Sequence, residues 1–173
     1  MNGLPMHIPT LETERLVLRP PRAADWPAFA AMFASDRSSF MGGPLGTRDA
    51  WGVFCHCMAN WGLFGRGTLF IERKDTGETV GEVDLNDGPL FPETELGWSL
   101  FDGHEGRGYA TEAAHALREW AYANTSLTTL VSYTHPANLA SQAVAQRLGA
   151  TLDADAPRQD PEDLVWRHPG PAR

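Results

Sequence analysis

Apolar and polar residues alternate in Glu14-Arg-Leu-Val-Leu-Arg19, a β-rich run that Pro20 and Pro21 cut off, and this predicts an opening strand. Behind it the apolar spacing lengthens. Trp26, Phe29, Ala30 and Phe33 outline a helix that Asp25 can cap, with Pro27 tolerated in its first turn. Trp51, Phe54, Cys55 and Met58 repeat that spacing in a second helix beginning after Thr47, and Gly42-Gly43-Pro44 makes the connection flexible or sharply turned. From Thr68 the period returns to two. Leu69–Arg73 and Thr79–Leu85 flank the turn-forming Lys74-Asp-Thr-Gly77 and predict a hairpin. Glu95-Leu-Gly-Trp-Ser-Leu100 adds a strand with Leu96, Trp98 and Leu100 on one face and Glu95, Gly97 and Ser99 on the other.

A helix over residues 109–123 carries a stripe of Ala110, Ala113, Ala114, Leu117 and Ala121, small enough to lie close to a sheet. Leu130–Thr134 reads as a strand, Asn138–Leu148 as a helix stopped by Gly149, and Leu164–Arg167 as a last strand. The order βααβββαβαβ predicts a mixed α/β (α+β) domain around a central sheet.

Composition narrows the choice of partners. At 173 residues and 42% hydrophobic, the chain suits one core, expected over residues 8–168 with frayed ends at 1–7 and 169–173. A net charge of −8 opposes binding to nucleic acid or to anionic membranes. No segment has the leader pattern or the ~20 apolar residues of a membrane span, so the expected location is cytoplasmic. Cys55 and Cys57 flank His56, but a structural zinc site wants a second ligand pair, so they read as packing residues on different helix faces. Monomer and homodimer both stay open.

The chemistry concentrates in Glu105-Gly-Arg-Gly-Tyr-Ala110, between a strand and a helix. Glycines there let the backbone approach a ligand, and the unpaired amides of the first helical turn point at an anion with the helix dipole behind them. Arg107 can add a positive charge and Thr111 a hydroxyl. A P-loop needs a lysine at this point, and the single lysine, Lys74, lies in the hairpin turn. A dinucleotide fingerprint needs glycine where Thr111 stands, and it should follow the first strand of a βαβ unit. A tight turn with no ligand at all would use the same glycines.

Taken with Glu95–Leu100 before it and with Asn138-Leu-Ala-Ser141 and Arg147-Leu-Gly-Ala150 after it, the stretch Gly106-Arg-Gly-Tyr-Ala-Thr-Glu-Ala113 resembles the GNAT N-acetyltransferase superfamily. Leu11-Glu-Thr-Glu-Arg-Leu-Val-Leu-Arg-Pro20 is similar to the first strand of its ribosomal-protein N-terminal acetyltransferase branch (RimJ/RimL-type). The resemblance implies a mostly antiparallel sheet splayed between its fourth and fifth strands, with acetyl-CoA as donor and coenzyme A as product. It implies that the amides of Gly106, Arg107, Gly108, Tyr109 and Ala110 hold the pyrophosphate, with Thr111 beside them. The backbone of Ser99, Leu100 and Phe101 would pair with the pantetheine arm as an added strand does. Asn138 would lie near the thioester and Ser141 near the sulfur, although both types also suit a helix start. Glu105 departs from the Gln or Arg usual at its position, so no ligand role falls to its side chain.

The resemblance further implies direct attack by a primary amine, with no acyl-enzyme. The acceptor would be a protein N-terminus or a small amine such as an amino acid. A lysine-like amine, pKa ~10.4, needs on the order of 4 kcal/mol to be neutral at pH 7, while an α-amine at ~8 needs about one unit. Glu95 is the first choice of base, ahead of Glu82, Asp84 and His104. Tyr109 and Glu112 match the family stretch without a distinct role, and His115 reads as exposed or hydrogen-bonded in place. Trp51, Trp61 and Phe64 are candidates for an acceptor pocket or for the core. A non-catalytic acyl-CoA-binding module of the same fold is the alternative.

Overall fold

The computed structural model describes residues 7–171. Of the ends expected to fray, residues 1–6 and 172–173 lie outside the described residues, and 169–171 form no helix or strand. The chain runs through β1 (Leu11–Glu12), β2 (Leu16–Arg19), α1 (Trp26–Phe33), α2 (Thr47–Phe64), β3 (Leu69–Arg73), β4 (Thr79–Asn86) and β5 (Glu95–Leu100). It continues through α3 (Tyr109–Asn124), β6 (Val131–Thr134), α4 (Leu139–Arg147), β7 (Thr151–Leu152) and β8 (Leu164–Arg167). The short β1 and β7 are additions to the predicted order, each only two residues long and too short to carry an alternation.

The strands form one open sheet in the order β1-β2-β3-β4-β5-β6-β8-β7, antiparallel except for β5 beside β6. Helices cover both faces, so the central strands bury both sets of side chains. Leu69, Ile71, Val83, Leu85 and Leu96 face α3, whose Ala113, Ala114, Leu117 and Ala121 are fully buried against them. Between two of these, Phe70 points the other way, into an aromatic cluster with Phe29, Phe33 and Phe54 of α1 and α2 and with Phe101. The small stripe of α3 thus does what its composition predicts, bringing a helix backbone close to the sheet.

Asp25 does not act as the helix cap expected of it. Its side chain makes no cap bond to α1; it accepts from both Arg19 guanidinium nitrogens at 2.9 and 2.7 Å and from the Arg22 amide at 2.7 Å. Arg19 also donates to Glu72 at 2.6 Å, so the start of α1 is tied to β2 and β3. Burial alone would raise the Asp25 carboxyl, but the bonds from Arg19 and the Arg22 amide hold it below the usual range.

One seam is left open. β5 and β6 meet at a single rung, Glu95 opposite Val131, with the Val131 amide donating to Thr94 O at 3.2 Å. Ser132 Oγ then reaches Leu96 O at 2.5 Å, and beyond it the strands part. These are the fourth and fifth strands of the predicted set, and the splay occurs between them.

Candidate active site

The parting of β5 and β6 opens a continuous cleft of about 2050 Å³ that runs between α3 and α4 on one side and α2 with the turn Asp36–Met41 on the other. This exceeds the roughly 300–1,000 Å³ of an ordinary small-ligand pocket. A long ligand and a second reactant fit together.

At one end lies the turn before α3. Gly106 and Gly108 have φ of 72° and 82°, left-handed values that glycine takes without strain. The first amide bonded back along the helix is that of Glu112, to Gly108 O at 3.0 Å, which leaves the amides before it directed out of the helix end. An added Cβ at Gly106 would meet nothing within 4 Å, so the cradle is open. Thr111 Oγ1 lines the cleft, is itself buried, and has no hydrogen-bond partner. A buried hydroxyl without a protein partner is available to water or to a ligand. These features fit a pyrophosphate-bearing cofactor such as acetyl-CoA.

The other turn residues divide by side chain. Arg107 is exposed and outside the cleft lining, and its carbonyl accepts from Arg15 Nη1 at 2.9 Å. Tyr109 is buried against the sheet beneath the Arg15 guanidinium, 4.9 Å from its ring centroid. Glu112 faces Arg15 and Thr13, bonded at 2.7 and 2.6 Å, and so holds the turn to the segment before β2. Glu105 turns to Arg37, whose Nη2 also donates to Leu100 O at 2.9 Å. That explains how a carboxylate is accommodated at the head of the turn.

Along β5, backbone groups alternate between the two edges. Leu96 O and Leu100 O point to the open edge, toward Ser132 and Arg37, whereas the Phe101 amide donates to Val80 O at 2.8 Å on the β4 side. Ser99 O lies over Gly81 of β4. Of the backbone predicted to meet the pantetheine arm, only that of Leu100 faces the slot, and Trp98, one step back on the same edge, joins it. Ser99 and Phe101 face the wrong way for that role. The period of two was legible in the sequence, but which edge lay open required the neighbouring strand.

Glu95, Asp84 and Glu82 line the cleft as a row on the opposite face of β4 and β5 from α3, with Asp84 across from Gly97 and Glu82 across from Ser99. Glu95 is half-buried, and burial raises it to about 7 despite the Asn86 amide bonded at 3.0 Å. Burial lifts Asp84 to about 6, against a 2.5 Å bond from Thr68 Oγ1. Burial, reinforced by the Asp84 charge, pushes Glu82 well above the carboxylate range. A group near 7 exchanges protons readily at neutral pH. His104, the remaining base candidate, lies outside the cleft, with Nε2 3.5 Å from Glu78.

On the far lip, Asn138 Oδ1 accepts the Ser141 amide at 3.2 Å, so Asn138 does cap α4, and both residues line the cleft. His115 lines it too, from an exposed position on α3. Trp61 is core, with Nε1 donating to Thr68 O at 2.9 Å; Trp51 packs on Trp26 and Phe54. Neither these nor Phe64 lines the cleft. Its apolar mouth comes from Phe40, Met41, Leu90 and Phe91, in segments with no regular spacing to mark them. Cys55 is exposed and Cys57 buried, on different faces as expected.

The open α/β sheet, its single splayed parallel pair and the glycine turn at the head of α3 define a fold class that offers a helix N-terminus to an anionic ligand in a cleft between two strands. Residues 15–151 match the family described as "Acetyltransferase (GNAT) domain", and the chain belongs to that family. The acetyltransferase from Agrobacterium tumefaciens str. C58, a crystal structure, is 57% identical with a TM-score of 0.91, covering 97% of this chain and 98% of that one. The uncharacterized N-acetyltransferase YjdG of Bacillus subtilis (strain 168) is 30% identical over 95 residues, 54% of this chain and 56% of the relative, little more than half its length. RimL, a ribosomal L7/L12 alpha-N-protein acetyltransferase in complex with coenzyme A, has a TM-score of 0.71 at 18% identity, covering 90% of this chain and 94% of that one, and shares the fold.

Among the described residues, no helix is long and apolar enough to cross a membrane.

Proposed function

We propose that the protein is an N-acetyltransferase that moves the acetyl group of acetyl-CoA to a primary amine, either the α-amine of a protein N-terminus or a small amine such as an amino acid. The observation that carries this reading is Glu95: a half-buried carboxylate raised to about 7, at the point where β5 and β6 part, lining the same cleft as Ser141.

The amides of Gly106 through Ala110 and the hydroxyl of Thr111 hold the pyrophosphate, and the open backbone edge at Trp98 and Leu100 receives the pantetheine arm. When bound, acetyl-CoA supplies the acyl group as an activated thioester. Asp84, ionised at neutral pH, attracts a protonated amine into the cleft, and Glu95 takes its proton so that the lone pair is free. Ser141 donates a proton to the departing sulfur from the other lip. An α-amine demands less of a base near 7 than a lysine-like amine does. This favours N-terminal and amino-acid acceptors, as the ribosomal-protein branch would use.

Free-thiol release from acetyl-CoA, measured with a panel of amines and with peptides beginning in Ala and Ser, tests the reading. The expected result is acceptor-dependent thiol release with a matching acetylated product. Protection of the fold by acetyl-CoA with no acceptor consumed would instead support the non-catalytic binding module.

A further inference from the structure

The head of the phosphate turn carries a negative charge where a dianionic group is to bind. Glu105 adjoins Gly106 in the chain, so its Cα lies ~3.8 Å from the Cα of the first residue of the cradle. Unscreened, a carboxylate there opposes a pyrophosphate. Arg107 is exposed and does not line the cleft. The guanidinium that lines the cleft at this end is that of Arg37, from the turn Asp36–Met41. It pairs with Glu105, donates to Leu100 O at 2.9 Å and lies 3.7 Å from Asp102.

We infer that Arg37 is a cofactor-positioning residue: by neutralising Glu105 it makes the turn attractive to the pyrophosphate of acetyl-CoA. This rests on the acetyl-CoA reading above. Arg37 acts through Glu105, so its importance depends on that carboxylate being present. The same side chain also links the cofactor turn to the segment bearing Phe40 and Met41, which form the apolar mouth.

The test is a calorimetric titration of acetyl-CoA, and separately of S-acetylpantetheine, into wild type, Arg37→Ala, Glu105→Gln and the double variant. Arg37→Ala should weaken acetyl-CoA about tenfold, which is ~1.4 kcal/mol, and leave the uncharged S-acetylpantetheine within twofold. Glu105→Gln alone should bind acetyl-CoA at least as tightly as wild type, and adding it to Arg37→Ala should restore affinity to within about threefold. Unchanged binding by Arg37→Ala, or a double variant as weak as Arg37→Ala, would overturn the inference. Should Arg37→Ala fail to fold, a tenfold loss in Glu105→Gln would overturn it equally, and wild-type affinity there would support it. No acetyl-CoA binding by wild type would overturn the functional reading itself, whereas normal binding with an indifferent Arg37 overturns this inference alone.

Discussion

A base must be dry enough to hold its proton near neutral pH and open enough to reach the amine, and Glu95, the proposed base, stands half-buried at the last rung before the sheet splits. Glu95→Gln should lower turnover at least tenfold at pH 7 and abolish the rise of rate with pH through about 7. A pH–rate profile unchanged in shape would remove Glu95 as the base. The same carboxyl makes a stability prediction. A raised folded pKa means the native state binds the proton more tightly than the unfolded chain, so ionisation costs stability as pH rises from the unfolded value toward about 7. Glu95→Gln should therefore stabilise the fold more at pH 8 than at pH 4.5, by up to about 3 kcal/mol, in parallel urea unfolding curves. At this scale Glu95, Ser141, Asn138 and Thr111 were legible because each stood in a motif or on a strand face. Arg37 was not, since it lies in a short irregular turn and meets Glu105 only through the tertiary fold.

Elements were read with less trouble than their ends. β3, β5 and β8 match their predicted limits and α3 differs by one residue, because alternation and small-residue spacing are carried within each segment. Asp25 shows the opposite case: local chemistry pointed to a cap, and a guanidinium six residues back along the chain claimed the carboxylate instead. That pair is nearly inaccessible, Arg19 and Asp25 each being 4% exposed. Asp25→Asn should cost about 3–5 kcal/mol, because it leaves the buried Arg19 with only the more exposed Glu72 as counter-charge. Denaturant unfolding checks this, and a loss under about 1 kcal/mol would mean that Glu72 alone suffices for Arg19. The backbone edge of β5 follows the same logic, since alternation was visible and the open side depended on where β6 left off.

For the molecule as a whole, the donor side was legible and the acceptor side was not. The proposed donor site is built from backbone at fixed offsets around α3, so glycine and helix-start signals mark it. The acceptor mouth gathers Phe40, Met41, Leu90 and Phe91 from two irregular connections, and its acidic floor reads in sequence as ordinary strand carboxylates. The central claim is that the turn at the head of α3 holds acetyl-CoA, and a calorimetric titration of acetyl-CoA into wild type and Gly108→Asp tests it most directly. The substitution forces a side chain into φ +82°, its Cβ 3.3 Å from Arg15 Nη2, and sets a negative charge beside the amides of the turn, so its folding is checked by circular dichroism in the same samples. The account predicts one-to-one binding to wild type and a loss of at least a hundredfold in the folded variant. Wild-type affinity in Gly108→Asp would contradict the placement of the cofactor.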